Sequence, residues 1–134
     1  MKAKMKKNEI RLRPIGRVEN EISDSRGFCE WEGVASRIVV EPELAEALEG
    51  IEQYSHLWIL FWMHRIHNEM RKTLKVYSAG FQRVPPMGVF ALRTPFRPNP
   101  IGLTLVKLLR RRGNILEIEG LDAIDGTSVL DIKP

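Results

Sequence analysis

Three of the eight residues in Arg93-Thr94-Pro95-Phe96-Arg97-Pro98-Asn99-Pro100 are proline. Each removes a backbone donor and biases its predecessor toward extended geometry, so the octet can be neither helix nor central strand. It is a stiff loop, and the remainder has to fold around it. On both sides the apolar segments are short. Residues 10–18 read as an early strand with an irregularity at Pro14. Residues 28–40 suit one bent strand or two short ones, with Gly33 as bulge or turn. Pro42 stands where a helix begins; Leu44, Ala45, Ala47 and Leu48 give it an apolar face, and Gly50 stops it. Residues 56–64 are apolar without alternation, which suits a strand buried on both faces. Residues 68–84 read as a polar, basic and mobile loop, and residues 87–92 as a strand. After the octet, residues 101–109 form a strand, 110–114 a basic hairpin turn and 115–120 its partner. A turn rich in Asp and Gly at 122–127 leads into a last strand at 128–132.

Six or more short strands with one or two short helices predict a mainly β fold, a small closed or nearly closed β-barrel. With 134 residues, the length fits one domain over residues 9–134, preceded by a basic tail over 1–8. No G-x-G-x-x-G follows a strand and there is no P-loop, which argues against a Rossmann cofactor domain or an NTPase, so a non-Rossmann fold is expected. The longest apolar run, residues 57–63, is strand-sized rather than membrane-sized. A single cysteine, Cys29, predicts a reducing compartment, and the basic start lacks the apolar core of a secretory signal, so the expected location is cytoplasmic.

Charge is segregated along the chain. Residues 18–69 hold eleven acids against three bases, whereas residues 70–116 hold ten bases and no acid. Such a stretch attracts phosphate-bearing partners. Arg93 and Arg97 sit on the stiffened loop, where a guanidinium loses little freedom on meeting an anion. Asp122 and Asp125 flank a turn able to bind a polar ligand end or hold a general base; an Asx turn bonding to itself is the plain alternative. His64 and His67 lack further ligands at a metal-binding spacing, so no metal is expected. Trp58, Phe61 and Trp62 read as core, with one available as a stacking face at the strand end.

Several stretches resemble the TsaA-like family of TrmO type: Arg13-Pro14-Ile15-Gly16, Leu48-Glu49-Gly50-Ile51-Glu52, Ser55-His56-Leu57-Trp58 and Gly88-Val89-Phe90-Ala91. The likeness is most specific in Phe96-Arg97-Pro98-Asn99-Pro100-Ile101-Gly102-Leu103 and in the close from Asp125-Gly126-Thr127 to Asp131-Ile132-Lys133-Pro134. The resemblance implies a β-barrel methyltransferase that uses S-adenosylmethionine and acts as a homodimer with cofactor near the subunit interface. Its substrate would be N6 of threonylcarbamoyladenosine beside the anticodon of tRNA. It further implies cofactor contacts at Gly27, Phe28, Cys29, His64, Arg65, Arg93, Ile101, Leu103, Thr127, Ser128, Val129 and Leu130. The usual Pro-Arg-Gln type sequence is replaced here by Asp24-Ser25-Arg26-Gly27.

A carbamoylated N6 is a poor nucleophile whose proton has to leave at or near transfer. Asp125 or His64 is the expected base, with Arg93 or Arg97 holding the threonyl carboxylate or a phosphate. The RNA surface is expected to comprise Arg71, Lys72, Arg83, Phe96, Arg97, Asn99, Arg110, Arg111 and Arg112. The rival readings are a cofactor-binding sensor, a methyltransferase with another acceptor, and an RNA-binding module without catalysis.

Overall fold

A computed structural model describes residues 8–24, 30–77 and 85–134. Gly27, Phe28, Cys29 and Arg83 therefore lie outside the described residues. Six antiparallel strands close a barrel: β1 (Gly16–Glu19), β2 (Ala35–Val40), β3 (His56–Trp62), β6 (Ile101–Arg112), β7 (Ile115–Glu119) and β8 (Ser128–Lys133). Their order around the barrel is β1-β2-β7-β6-β3-β8, with β8 pairing back to β1. A two-stranded ribbon of β4 (Lys75–Val76) and β5 (Met87–Gly88) stands apart from it. Short 3₁₀ helices at Pro42–Leu48 and Ile51–Gln53 supply the helical content ahead of β3, separated by Gly50 at φ 90°.

Alternation decides what fills the barrel. Leu57, Ile59 and Phe61 of β3 point inward and are almost wholly buried, joined by Val18, Ile38, Val106, Leu116, Ile118 and Val129. Outward-pointing Trp58, Leu60 and Trp62 are only half-buried, which corrects the reading of β3 as buried on both faces. Their apolarity continues across the register: Trp58 lies opposite Leu105, Leu60 opposite Leu103 and Trp62 opposite Ile101. At Gly102 the ring of Phe61 occupies the space a side chain would need.

Four boundaries differ from the sequence expectation. Residues 10–15 form no strand, and β1 begins only at Gly16. The expected strand at 87–92 stops at Gly88, because the Val89 N–H turns to the Leu74 carbonyl (3.0 Å) and a 3₁₀ turn, Val89–Ala91, follows. The expected loop at 68–84 contains a 3₁₀ turn, Met70–Lys72, as well as β4. The basic turn expected at 110–114 is strand as far as Arg112, and only Gly113-Asn114 connects Arg112 to its partner Ile115. Gly113 adopts φ 59°, as the first position of a two-residue hairpin turn of this hand requires.

Residues 121–127 cross the barrel mouth. Leu121, Ala123 and Thr127 are buried, while Asp125 N–H and Gly126 N–H donate to the carbonyls of Ile22 and Val18. The polar seal is completed by Asn20, whose Nδ2 donates to Ala123 O (2.8 Å) and Ser36 Oγ (3.0 Å). Among the described residues, no helix is long and apolar enough to cross a membrane.

Candidate functional site

At one end of the barrel, Trp62 pairs with Ile101 on one side and with Ser128 on the other. The proline-braced loop arrives at the same place: Met63 N–H donates to Pro100 O (2.8 Å), stitching the end of β3 to the end of the loop. Between them lies a cavity of about 710 Å³ walled by Trp62, Ile101, Ser128, Leu130, Asn99 and Arg71, with Asn8, Ile10, Leu12 and Pro14 along one side. Apolar walls with a few polar groups, at this volume, suit a nucleoside-sized ligand.

Arg71 fastens the loop to the barrel. Its Nε donates to Pro98 O (2.7 Å), Nη2 approaches Asn99 Oδ1 (3.4 Å), and its guanidinium lies 5.4 Å from the Trp62 ring centroid. Thus a side chain expected to grip RNA instead holds one cavity wall against another. Arg97 braces the loop from within, donating through Nη1 to Leu92 O (3.1 Å) and Thr94 O (3.2 Å). Arg93 is exposed on the same loop, and His64 and Arg65 occupy the exposed turn just beyond β3.

Strand alternation divides the expected cofactor contacts. Ser128 and Leu130 line the cavity, whereas Thr127 and Val129 face the core with 2% and 0% exposure. Ile101 lines the cavity and Leu103 continues the same outer face. The stiff loop shares its cavity with Ser128 and Leu130 of the strand that leaves the Asp-Gly-Thr turn, whereas Asp125 and Gly126 of the turn itself line another cavity. This second cavity has a volume of about 1120 Å³. There Asp125 Oδ1 accepts from Asn20 N–H (3.0 Å), and Glu19 is paired with Arg17 (3.3 Å) and Arg37 (3.7 Å). The second cavity is larger and acidic, lined by Glu19, Glu21, Glu117 and Asp125 against Arg17 and Arg37, a charge that does not suit the carboxylate-bearing tail of a cationic sulfonium or a phosphate. The Thr104 hydroxyl donates a hydrogen bond to Asp122 Oδ1.

The expected basic surface is split. Arg110 contacts Glu117 through Nε (2.6 Å), which lowers the Glu117 carboxyl and raises the Arg110 guanidinium relative to their ordinary values. Arg111 donates to Glu52 (3.0 Å), Gly113 O (2.9 Å) and Ala45 O (3.3 Å), pinning β6 to the 3₁₀ helices; this hydrogen bond lowers the Glu52 carboxyl. Lys72 pairs with Glu69 at 3.1 Å. Arg112 is exposed at the far end of β6. From Ile101 to Arg110 the strand runs about 30 Å at the usual rise per residue. Phe96 is partly exposed on the braced loop. Phe90, unremarked among the sequence candidates, is 79% exposed beside it. The Asn8–Pro14 side of the cavity was also missed, since residues 1–8 read as a tail and 10–18 as a strand. Among the described residues no group of three or more His, Cys, Asp or Glu side chains is placed to hold a metal.

Fold and cavity together define a non-Rossmann β-barrel with a nucleoside-sized pocket at the mouth of the barrel. Residues 27–134 match the model of the tRNA-methyltransferase O N-terminal domain, and the chain belongs to that family. It is 42% identical over 129 residues to a probable S-adenosyl-L-methionine-binding protein of Methanothermobacter thermautotrophicus, covering 94% of this chain and 90% of that one. Against a human tRNA (adenine(37)-N6)-methyltransferase it is 35% identical over 144 residues, covering all of this chain but 32% of the relative. A crystal structure of TrmO from P. aeruginosa superposes with a TM-score of 0.77 at 32% identity, over 97% of this chain and 57% of that one. The chain therefore spans about a third of the human relative and little more than half of the solved one.

Proposed function

We propose that the chain binds S-adenosylmethionine in the cavity beneath the braced loop and methylates N6 of threonylcarbamoyladenosine beside the anticodon of tRNA. The observation that carries this reading is the shared cavity: Asn99 of the stiff loop, Trp62 and Ile101 of the barrel mouth, and Ser128 and Leu130 after the Asp-Gly-Thr turn all wall it. Its volume and mixed lining suit a nucleoside with an amino-acid tail. The names of the relatives above support the same cofactor and an adenine N6 of tRNA as acceptor. Bound there, the cofactor supplies an electrophilic methyl group.

The remaining work falls to this chain's residues. A rigid loop and a sheet end fix the approach of the acceptor, which methyl transfer needs more than covalent help. Of the two candidate bases, His64 is favoured over Asp125, because Met63 beside it is bonded to the loop end and Asp125 opens into the other cavity. Arg93, exposed on the loop, is assigned the carboxylate of the acceptor. Thr127 and Val129 act as core that holds Ser128 and Leu130 outward.

The outer face of β3 and β6 suits a second copy of the chain. Trp58, Leu60 and Trp62 with Leu103 and Leu105 make a continuous apolar surface, Leu103 being 44% and Leu105 48% exposed. Leu105→Arg is expected to yield a monomer by sedimentation where the parent chain is a dimer; a parent chain that sediments as a monomer would refute the homodimer. The reading implies the cytoplasm, where tRNA and cofactor coexist.

Mass spectrometry of tRNA nucleosides after incubation with cofactor tests the whole. One added methyl on threonylcarbamoyladenosine supports it. A second reading, cofactor binding without transfer, is favoured by the name of the archaeal relative that this chain covers at 90%. Saturable cofactor binding with no methylated nucleoside would establish that one instead.

A further inference from the structure

Phe90 is the most exposed aromatic among the described residues. Its neighbour Val89 is 3% exposed and already anchors the 3₁₀ turn inward, while Phe90 stands 79% exposed. The backbone beneath it is fixed. Val89 N–H donates to Leu74 O (3.0 Å), Leu92 N–H returns to Val89 O (3.3 Å), and the β4–β5 ribbon pairs just before the turn.

One side of the ring has a partner. The Arg97 guanidinium lies 5.9 Å from the Phe90 centroid, held in place by its bonds to Leu92 O and Thr94 O. Ring and cation are thus both pre-set, so a flat ligand stacking there pays little ordering entropy. The surroundings select the charge of that ligand: Lys75 pairs with Gly88 two residues before the ring, and Arg93 and Arg97 follow it in sequence, all within the 70–116 stretch that has no Asp or Glu. A flat π-system attached to a polyanion is a nucleobase on its strand.

We propose that Phe90, floored by Arg97, is a stacking platform for an unpaired base of an RNA strand. The inference deepens the proposed function and rests on its RNA acceptor. It brings the strand in over the β4–β5 ribbon, with Arg97 two residues from Asn99 in the cavity wall. Arg110 and Arg111, paired with Glu117 and Glu52 at the far end of β6, are not needed for it.

The test is anisotropy titration of the full chain with a labelled anticodon stem-loop at fixed salt. Phe90→Ala is expected to weaken binding roughly 5- to 150-fold, the span of base–aromatic stacking. Phe90→Leu, which keeps apolar bulk without a π-face, should stay weak, and Phe90→Trp should restore affinity. Cofactor binding and thermal midpoint should not move, since Phe90 lies outside the core. Parent-level affinity in Phe90→Ala or in Phe90→Leu overturns the proposal, as does absence of RNA binding by the parent chain. A change of oligomeric state in Phe90→Ala would assign the ring to a second copy instead. If Phe90→Ala loses RNA while the parent chain methylates nothing, the platform stands and the enzyme reading falls. If the parent chain methylates tRNA and Phe90→Ala does so with unchanged KM, the platform falls and the enzyme reading stands.

Discussion

Replacing Arg71 by alanine cuts the side-chain clamp between the braced loop and Trp62 across the cavity. Two contacts carry most of its effect: the 2.7 Å bond from Nε to Pro98 O and the stacking on Trp62 at 5.4 Å. A hydrogen bond from a charged donor contributes about 1.5–3 kcal/mol when sheltered, and about 1 kcal/mol is reasonable for this exposed one. An exposed cation–π contact adds about 0.5–1 kcal/mol. The 3.4 Å approach to Asn99 adds little. Together these give about 2 kcal/mol, or roughly 30-fold as a ceiling on affinity. The ceiling is reached only if ligand binding must re-order the loop completely, so the expected loss is about 5- to 30-fold. Calorimetric titration with S-adenosylhomocysteine reads it directly. Arg71→Lys, which restores charge but not the fork, should recover part of the loss. The global unfolding midpoint should barely move, because the core cluster does not include Arg71. Parent-level affinity in Arg71→Ala would refute the clamp; a fall in stability matching the fall in affinity would make it a folding effect.

The other expectations are narrower. His64→Ala should lower kcat by about 100-fold or more, as loss of a general base does; single-turnover kinetics at saturating cofactor distinguish this from a loss confined to cofactor binding. Gly16→Ala should destabilise the barrel by about 1–3 kcal/mol, because the added carbon falls 2.5 Å from the Val39 carbonyl oxygen, which is backbone and cannot rotate away; denaturant titration checks it. Glu52 and Glu117 are both lowered, first by their hydrogen bonds to Arg111 and Arg110. Their contribution to stability is therefore present above the unfolded glutamate range and lost as pH falls through the lower folded values. A Glu52→Gln/Glu117→Gln variant should show a flatter acid limb in its stability profile, and an unchanged limb would refute the linkage.

What could be read from the chain alone was what local chemistry dictates. Proline spacing made residues 93–100 a stiff loop, and Gly50 and Gly113 supply positive φ at the break between 3₁₀ helices and at the hairpin. Residues without a local signature were misplaced. Arg110, Arg111 and Arg112 looked like a turn because three bases seldom extend a strand; Glu117 and Glu52, distant in sequence, make that possible. The strand expected at 87–92 ends early because Leu74, not a neighbour, takes the Val89 N–H. Continuous apolarity in β3 was read as two buried faces, when one faces the core and the other presents Trp58, Leu60 and Trp62 on the outside. At the site, the loop and the strand after the Asp-Gly-Thr turn were legible as partners. Which of Thr127, Ser128, Val129 and Leu130 face the cavity was not, because alternation depends on a register only the closed barrel sets. Phe90 carried no signal of its own, because residues 87–92 read as a strand and the 3₁₀ turn that exposes the ring depends on Leu74.

A crystal structure of the chain with S-adenosylhomocysteine tests the central claim most directly. The account predicts the nucleoside between Trp62, Asn99, Ser128 and Leu130. Density for it beside Arg17, Glu19 and Asp125 instead, with nothing beneath the braced loop, would contradict it.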